Sequence, residues 1–485
     1  MKQGLLNMPS LPPSPDASSL RAQRRPSPAA RLLARARGVR LGLAIVVLAA
    51  LGCSDRGAAE PIERTLQARP AEAFVDSVGV NVHLHYTDSP YTSYDDAERA
   101  ARFNRLRDAL RDLGVRHVRD GLIDTAWPAY YAQHNRLHRE LGVRSTLVLP
   151  GDWRVHELGD QAFARRVLDV AGRFEGVATL EGYNEYDLFH GNREDWTQEV
   201  RKAQRALRDA ARSSDALAGV TVLGPSLVRP GSYREVGDVS AWMDCGSFHP
   251  YPGGSMPEQT IGREVDRQRP LSTDRPLQAT EAGYHNALAT EHGHRPTSEA
   301  AEAIYLPRMF FEHFRLGILR TFDYELISTH DRGPGDVESH FGLIRHDGSR
   351  TPAFLALQRT MAVLSEGNNA DEAVPAAGAP AALTYRRTGG GDDLREVLLA
   401  QPDGRLVLAV WRAVSVWDPD ARQALGVQPQ RLVFGWPQGR FERVRVFRPS
   451  VSYAAQVEQP GDAELVLNLT SDLHLIELTP TQAQP

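Results

Sequence analysis

Eight short apolar runs recur along the chain, at 76–82, 115–119, 143–149, 178–183, 219–223, 244–249, 276–281 and 319–325. Each has the length and texture of a buried strand. Helical patterns lie between most of them. The clearest is 94–113, where Phe103, Leu106, Leu110 and Leu113 keep one face at spacings of three and four. Ser93 is expected to cap this helix, with Asp96 three residues on. Leu113-Gly114-Val115-Arg116, Leu141-Gly142-Val143-Arg144 and Leu316-Gly317-Ile318 each close a helix with Gly and open a strand. Gly takes the left-handed cap position, and the β-branched residue begins the strand. Eight such units predict a closed (β/α)₈ TIM barrel over residues 73–367. An open α/β sheet, the alternative, usually needs fewer strands.

The pattern changes after a helix at 351–366. Residues 367–380 are a Gly/Ala/Pro-rich linker, and 381–482 carry short strand-like runs such as Leu406–Trp411, Arg431–Phe434, Val444–Phe447 and Leu465–Leu469. Turns such as Gly389-Gly-Gly-Asp and Pro402-Asp-Gly404 separate them. This predicts a C-terminal all-β sandwich with no cluster of catalytic residue types.

The first 52 residues read as an export signal outside the fold. Arg21, Arg24, Arg25, Arg31, Arg35, Arg37 and Arg40 precede an apolar run from Leu41 to Leu51, then Gly52 and Cys53. About a dozen apolar residues are too few to span a bilayer comfortably. The ending resembles a bacterial lipoprotein signal, cleaved before Cys53, whose thiol is then lipidated. The chain departs from that pattern at Ala50, where Leu is usual, and an ordinary cleaved signal with a chance Cys is the alternative. The resemblance implies a lipid-anchored protein in the periplasm or at the cell surface. Residues 53–72 then read as a polar tether.

Of 485 residues, 41% are hydrophobic, enough for a sizeable core. The net charge of −5 provides no global basic field for nucleic acid. The only cysteines are Cys53 and Cys245. With Cys53 lipidated no internal disulfide is possible, so stability must come from the core.

Chemistry in such a barrel gathers at the C-terminal ends of the strands. The fourth run ends Leu180-Glu-Gly-Tyr-Asn184-Glu185 and the seventh ends Gln278-Ala-Thr-Glu281. Glu185 and Glu281 are three strands apart and can face each other across the mouth. Glycosidic cleavage needs such a pair: one acid to protonate the leaving oxygen, one carboxylate to attack or to activate water. Either glutamate alone reads as readily as a solvated loop acid; the pair in register carries the assignment.

Over some 290 residues of barrel the chain resembles the clan A glycoside hydrolases, in which Asn-Glu ends strand four and a lone Glu ends strand seven. The resemblance, closest to families 39, 30 and 79, implies a retaining hydrolase of polysaccharides or oligosaccharides without a cofactor or metal. Glu281 would be its nucleophile, Glu185 its acid/base and Asn184 a partner of the sugar 2-hydroxyl. It further implies that Arg119, ending the second run, lies beside the nucleophile, and that His249 or Tyr251 bonds the nucleophile or the sugar. A surface Arg119 paired with Asp120 and a structural His249 are the plainer alternatives. Trp127, Trp153, Tyr183, Tyr186, Tyr284 and Tyr324 lie near strand ends, where aromatic faces can stack on sugars; Trp153 and Tyr324 are taken as substrate-binding. The loop 328–341 is long enough to cover the site.

Two rival readings remain. His83 and His85 end the first strand and, as alternate residues, can point into one site, as in metal-dependent amidohydrolase barrels; His249 and Asp323 would suit that set. The fifth run supplies no His for it. On the glycosidase reading His83 and His85 bind sugar or are structural. A carbohydrate-binding lipoprotein with a retired barrel is the non-enzymatic alternative, against which both glutamates stand.

Overall fold

The computed structural model describes residues 60–87, 89–365 and 382–481. The signal, Cys53 and the linker 367–380 lie outside the described residues. Among those described, no helix is long and apolar enough to cross a membrane.

Each of the eight apolar runs overlaps a barrel strand: β1 (Val78–Asn81), β2 (His117–Gly121), β3 (Arg144–Leu149), β4 (Val177–Tyr183), β5 (Thr221–Leu223), β6 (Gly246–Phe248), β7 (Leu277–Ala282) and β8 (Arg320–Asp323). They are parallel, in the order β5-β4-β3-β2-β1-β8-β7-β6. The ring closes between β5 and β6 through a bridge of Leu223 to Cys245 and a bond from Gly224 N–H to the Cys245 carbonyl. The (β/α)₈ expectation therefore holds over the open sheet.

Helix Asp96–Leu113 buries Phe103, Leu106, Leu110 and Leu113. Its cap is Asp95, not Ser93: Asp95 accepts from Glu98 N–H, while Ser93 Oγ donates to the Glu98 carboxylate. Gly114, Gly142 and Gly317 all take positive φ, as their places between helix and strand require.

Helix Pro352–Ser365 ends the barrel, and antiparallel strands from Ala382 to Pro480 form the sandwich. One correction concerns the tether. Ile62–Gln67 is an edge strand of the four-stranded sheet, paired antiparallel with Ala382–Thr388, and Arg69–Pro70 adds to the six-stranded one. The start of the folded chain thus belongs to the sandwich and leads through helix Ala71–Asp76 into β1. Barrel and sandwich share one continuous core that includes Phe74, Phe311 and Trp411. Arg308, fully buried, joins both carboxylate oxygens of Glu258 to the Val414 and Ser471 carbonyls, and Trp411 Nε1 donates to Glu258.

Candidate active site

Side chains from β1, β2, β4, β6 and β7 converge at the C-terminal mouth. Asn81, at the end of β1, and Arg119, in the middle of β2, are register partners. Arg119 is 4% exposed and does not pair with Asp120. Its Nη1 lies 2.7 Å from Glu281 Oε1 and 3.0 Å from Asn81 Oδ1, and its Nη2 lies 2.7 Å from Asn184 Oδ1. The remaining edge of the guanidinium grips Glu181, with Nε 2.6 Å from Oε2 and Nη2 3.2 Å from Oε1. Ser247 and Thr280 hydroxyls, each at 2.9 Å, also donate to Oε1 of that fully buried carboxylate. Bidentate pairing with further hydrogen bonds is the geometry that makes a buried ion pair tolerable.

Glu281 receives a second donor from the Tyr251 hydroxyl, 2.7 Å from Oε2. Burial works against its charge. The His249 imidazole and the Arg119 guanidinium, with the hydroxyl bond, outweigh that and hold the carboxyl below the usual glutamate range. His249 Nδ1 is 2.8 Å from Glu185 Oε1 and 3.5 Å from Glu281 Oε2. Burial lowers the affinity of this imidazole for a proton, but Glu281 and Glu185 together raise it. One oxygen of Glu185, one of Glu281 and a ring nitrogen of His249 all lie within 4.8 Å of one another.

Glu185 stands in the left-handed region (φ 45°, ψ 37°) between β4 and a short helix, Tyr186–His190. A non-glycine residue pays about 1–3 kcal/mol for that conformation. The surroundings hold it there: Glu185 N–H donates to the Ser226 carbonyl at 3.0 Å, and Ser226 N–H donates to the Tyr183 carbonyl at 3.1 Å. This close approach requires Gly182, where a Cβ would meet Gln204 Oε1 at 2.4 Å and Pro225 N at 2.8 Å. Asn184 Oδ1 accepts from Arg119 and, at 3.4 Å, from Ser226 Oγ. Its amide nitrogen is the group left to donate.

His83 and His85 do not share a metal site. β1 ends at Asn81, so strand alternation no longer applies to them. His83 Nε2 turns to Glu325 at 3.1 Å and His85 Nδ1 to Asp120 at 2.6 Å. Asp120 is further bound to His134 and the Leu84 N–H, which pins this loop. Asp323 is buried, and burial with Glu302 and Glu325 nearby pushes its carboxyl well up. Among the described residues, only Glu185, His249 and Glu281 have the spacing of a cation site.

Tyr324 is half-buried at the mouth, its ring edge-on to His83 and Tyr251 and its hydroxyl 3.1 Å from Glu338 on the loop 328–341. Trp153 is corrected: it is 2% exposed and Arg166 covers its ring, so it offers no face to a sugar. Tyr183, Tyr186 and Tyr284 are likewise buried. Half-buried Trp127 packs against Tyr94, which is 63% exposed. Sequence reasoning passed over Asn81, Glu181, Ser226, Glu325 and Glu338. Glu181 carried a signal, since a charged residue inside a buried strand must have a partner.

No family model matches the chain, and no curated protein matches it. Solved structures do. A family 39 glycoside hydrolase from Bacteroides cellulosilyticus WH2 superposes with a TM-score of 0.51 at 15% identity, covering 85% of this chain and 81% of that one. A glucosidase from Croceicoccus marinus superposes with a TM-score of 0.53 at 16% identity, covering 83% and 96%. The likeness shows the fold: a (β/α)₈ barrel joined to a β-sandwich.

Proposed function

We propose that the chain is a retaining glycoside hydrolase acting on a polysaccharide or oligosaccharide, with Glu281 as nucleophile and Glu185 as acid/base. The observation that carries this is the close approach of Glu185 and Glu281, within 4.8 Å through one oxygen each, while Arg119 and Tyr251 hold Glu281 charged. Carboxyl groups about 5–5.5 Å apart suit double displacement, whereas an inverting pair stands about 6.5–9.5 Å apart to admit water. The resemblance of the Asn184-Glu185 and Glu281 motifs to clan A, and the names of the two structural neighbours, point the same way.

In this reading Glu281 attacks the anomeric carbon as Glu185 gives its proton to the departing oxygen. The resulting glycosyl ester is cleaved by water, whose proton Glu185 takes. Asn184, held through its carbonyl oxygen, donates to the sugar 2-hydroxyl. His249, between the two carboxylates, keeps Glu185 in position. Tyr324, His83 and Glu338 border the glycone. The N-terminal segment is proposed to carry the enzyme to a membrane through lipid on Cys53.

A panel of chromogenic aryl glycosides tests the reading. At least one should be hydrolysed, proton NMR should show the first-formed anomer retained, and Glu281→Ala should abolish the reaction. Inversion, or activity that survives Glu281→Ala, would refute it.

A further inference from the structure

A cavity of about 530 Å³ opens beside the catalytic pair. Glu185, His249 and Tyr251 form its inner end, and Glu281 takes no part in its lining. A proton donor meets the glycosidic oxygen from the leaving-group side, so a saccharide leaving past Glu185 enters this cavity. The far wall is one face of helix Pro257–Ser272, where Thr260, Arg263, Glu264 and Arg267 recur at spacings of three and four.

The charge on that wall does not cancel. Glu264 takes Arg263 Nε on Oε1 at 3.2 Å and Arg267 Nη1 on Oε2 at 2.7 Å. Two guanidiniums share one carboxylate, which leaves a positive charge in excess. Arg295 adds a third guanidinium to the lining; it is 48% exposed and pairs at 2.8 Å with Asp420, which is 77% exposed. Thr260 also lines the cavity; it is 8% exposed, and its buried hydroxyl finds no hydrogen-bond partner among the described residues. An anionic substituent on the leaving saccharide is therefore attracted to the cavity.

We infer that the cavity is a leaving-group subsite for a saccharide bearing an anionic substituent, a carboxylate or a sulfate ester, held by Arg267 and Arg263. The inference rests on the proposed glycosidase reading, which fixes Glu185 as the proton donor.

Titration calorimetry on the Glu281→Gln protein tests it. The probes are neutral, uronate and sulfated trisaccharides, matched in the gluco, galacto and manno series. In at least one series an anionic member should bind about tenfold or more tighter than its neutral counterpart, the effect of one charge-assisted hydrogen bond. The preference should weaken with salt and vanish in Arg267→Gln at an unchanged melting temperature. Arg263→Gln reads the same wall should the first variant unfold. Which anionic member prevails tells carboxylate from sulfate. No anionic preference in any series, or a preference that survives both variants, overturns the subsite. The aryl glycoside panel is read separately on the wild type. Hydrolysis there without an anionic preference sinks the subsite alone, and no hydrolysis sinks the reading beneath it.

Discussion

Arg119 Nη1 lies 2.7 Å from Glu281 Oε1, and the same guanidinium holds Glu181 through Nε at 2.6 Å. One buried cation thus serves the proposed nucleophile and a structural carboxylate. Arg119→Met is expected to lower kcat/KM by about 10²–10³-fold, the usual loss for one aimed donor. It should also cost about 3–5 kcal/mol of stability, because Glu181 is left buried and unpaired. Adding Glu181→Gln should recover much of the stability and none of the activity. Denaturant melts alongside kcat/KM check both halves; stability and activity recovering together would show that Arg119 acts only through the fold.

The Tyr251 hydroxyl bonds the charged form of Glu281. Glu281 must be ionised to attack, and its carboxyl titrates below the usual range, so the acidic limb of kcat/KM should lie below about pH 4.3, the ordinary glutamate value. Its ionisation also favours the fold above that value, and the benefit fades as pH falls through the lowered pKa. Tyr251→Phe withdraws a donor from the ionised form. Its acidic limb should move to higher pH, as a full pH–rate profile will show. An unmoved limb would mean that the hydroxyl does not govern this titration.

The barrel and the facing of Glu185 and Glu281 were legible because strand ends in this architecture gather at one mouth; the contacts of Arg119 and Tyr251 with Glu281 were implied only by the resemblance to clan A. What escaped did so for physical reasons. Glu181 sits mid-strand, where apolar periodicity marks only core. Ser226 follows a strand of three residues, in irregular backbone without a pattern. Trp153 is placed by its strand end, but which way a ring turns depends on Arg166, a distant partner. Ile62–Gln67 is mostly exposed and reads as polar tether; its pairing strand lies more than three hundred residues on. His83 and His85 were read by strand alternation beyond the point where the strand stops.

Trp411 is fully buried in the core that barrel and sandwich share, with Nε1 on Glu258. Trp411→Ala should cost about 3–5 kcal/mol. A chain ending at Ser365 should aggregate or melt early, since it would expose the apolar surface of Phe74 and Phe311. Calorimetry and size-exclusion chromatography check this. A soluble, fully active truncated barrel would show that the sandwich is dispensable.

Cys53 follows a basic and apolar segment that ends in Gly52. In a bacterial host the wild type should fractionate with membranes and label with palmitate, and Cys53→Ser should be released. Several acyl chains hold a protein firmly where one does so only marginally. Unlabelled, soluble wild type would remove the lipid anchor.

The two glutamates should answer differently to loss and rescue. Glu185→Ala removes proton donation, worth roughly 10²–10⁴-fold on a natural leaving group and much less on an activated one. An aryl glycoside with an acidic phenol should therefore still form the ester on Glu281, whose hydrolysis then limits the rate. Azide, which needs no general base, should attack that ester, raise turnover and give the glycosyl azide of retained configuration. Glu281→Ala, which has no nucleophile to esterify, should give no azide product of that configuration. The decisive measurement is turnover of such a glycoside by Glu185→Ala with and without azide, the product identified by NMR. Faster turnover with a retained azide supports Glu185 as acid/base and Glu281 as nucleophile; rescue confined to Glu281→Ala, with an inverted azide and none for Glu185→Ala, contradicts it.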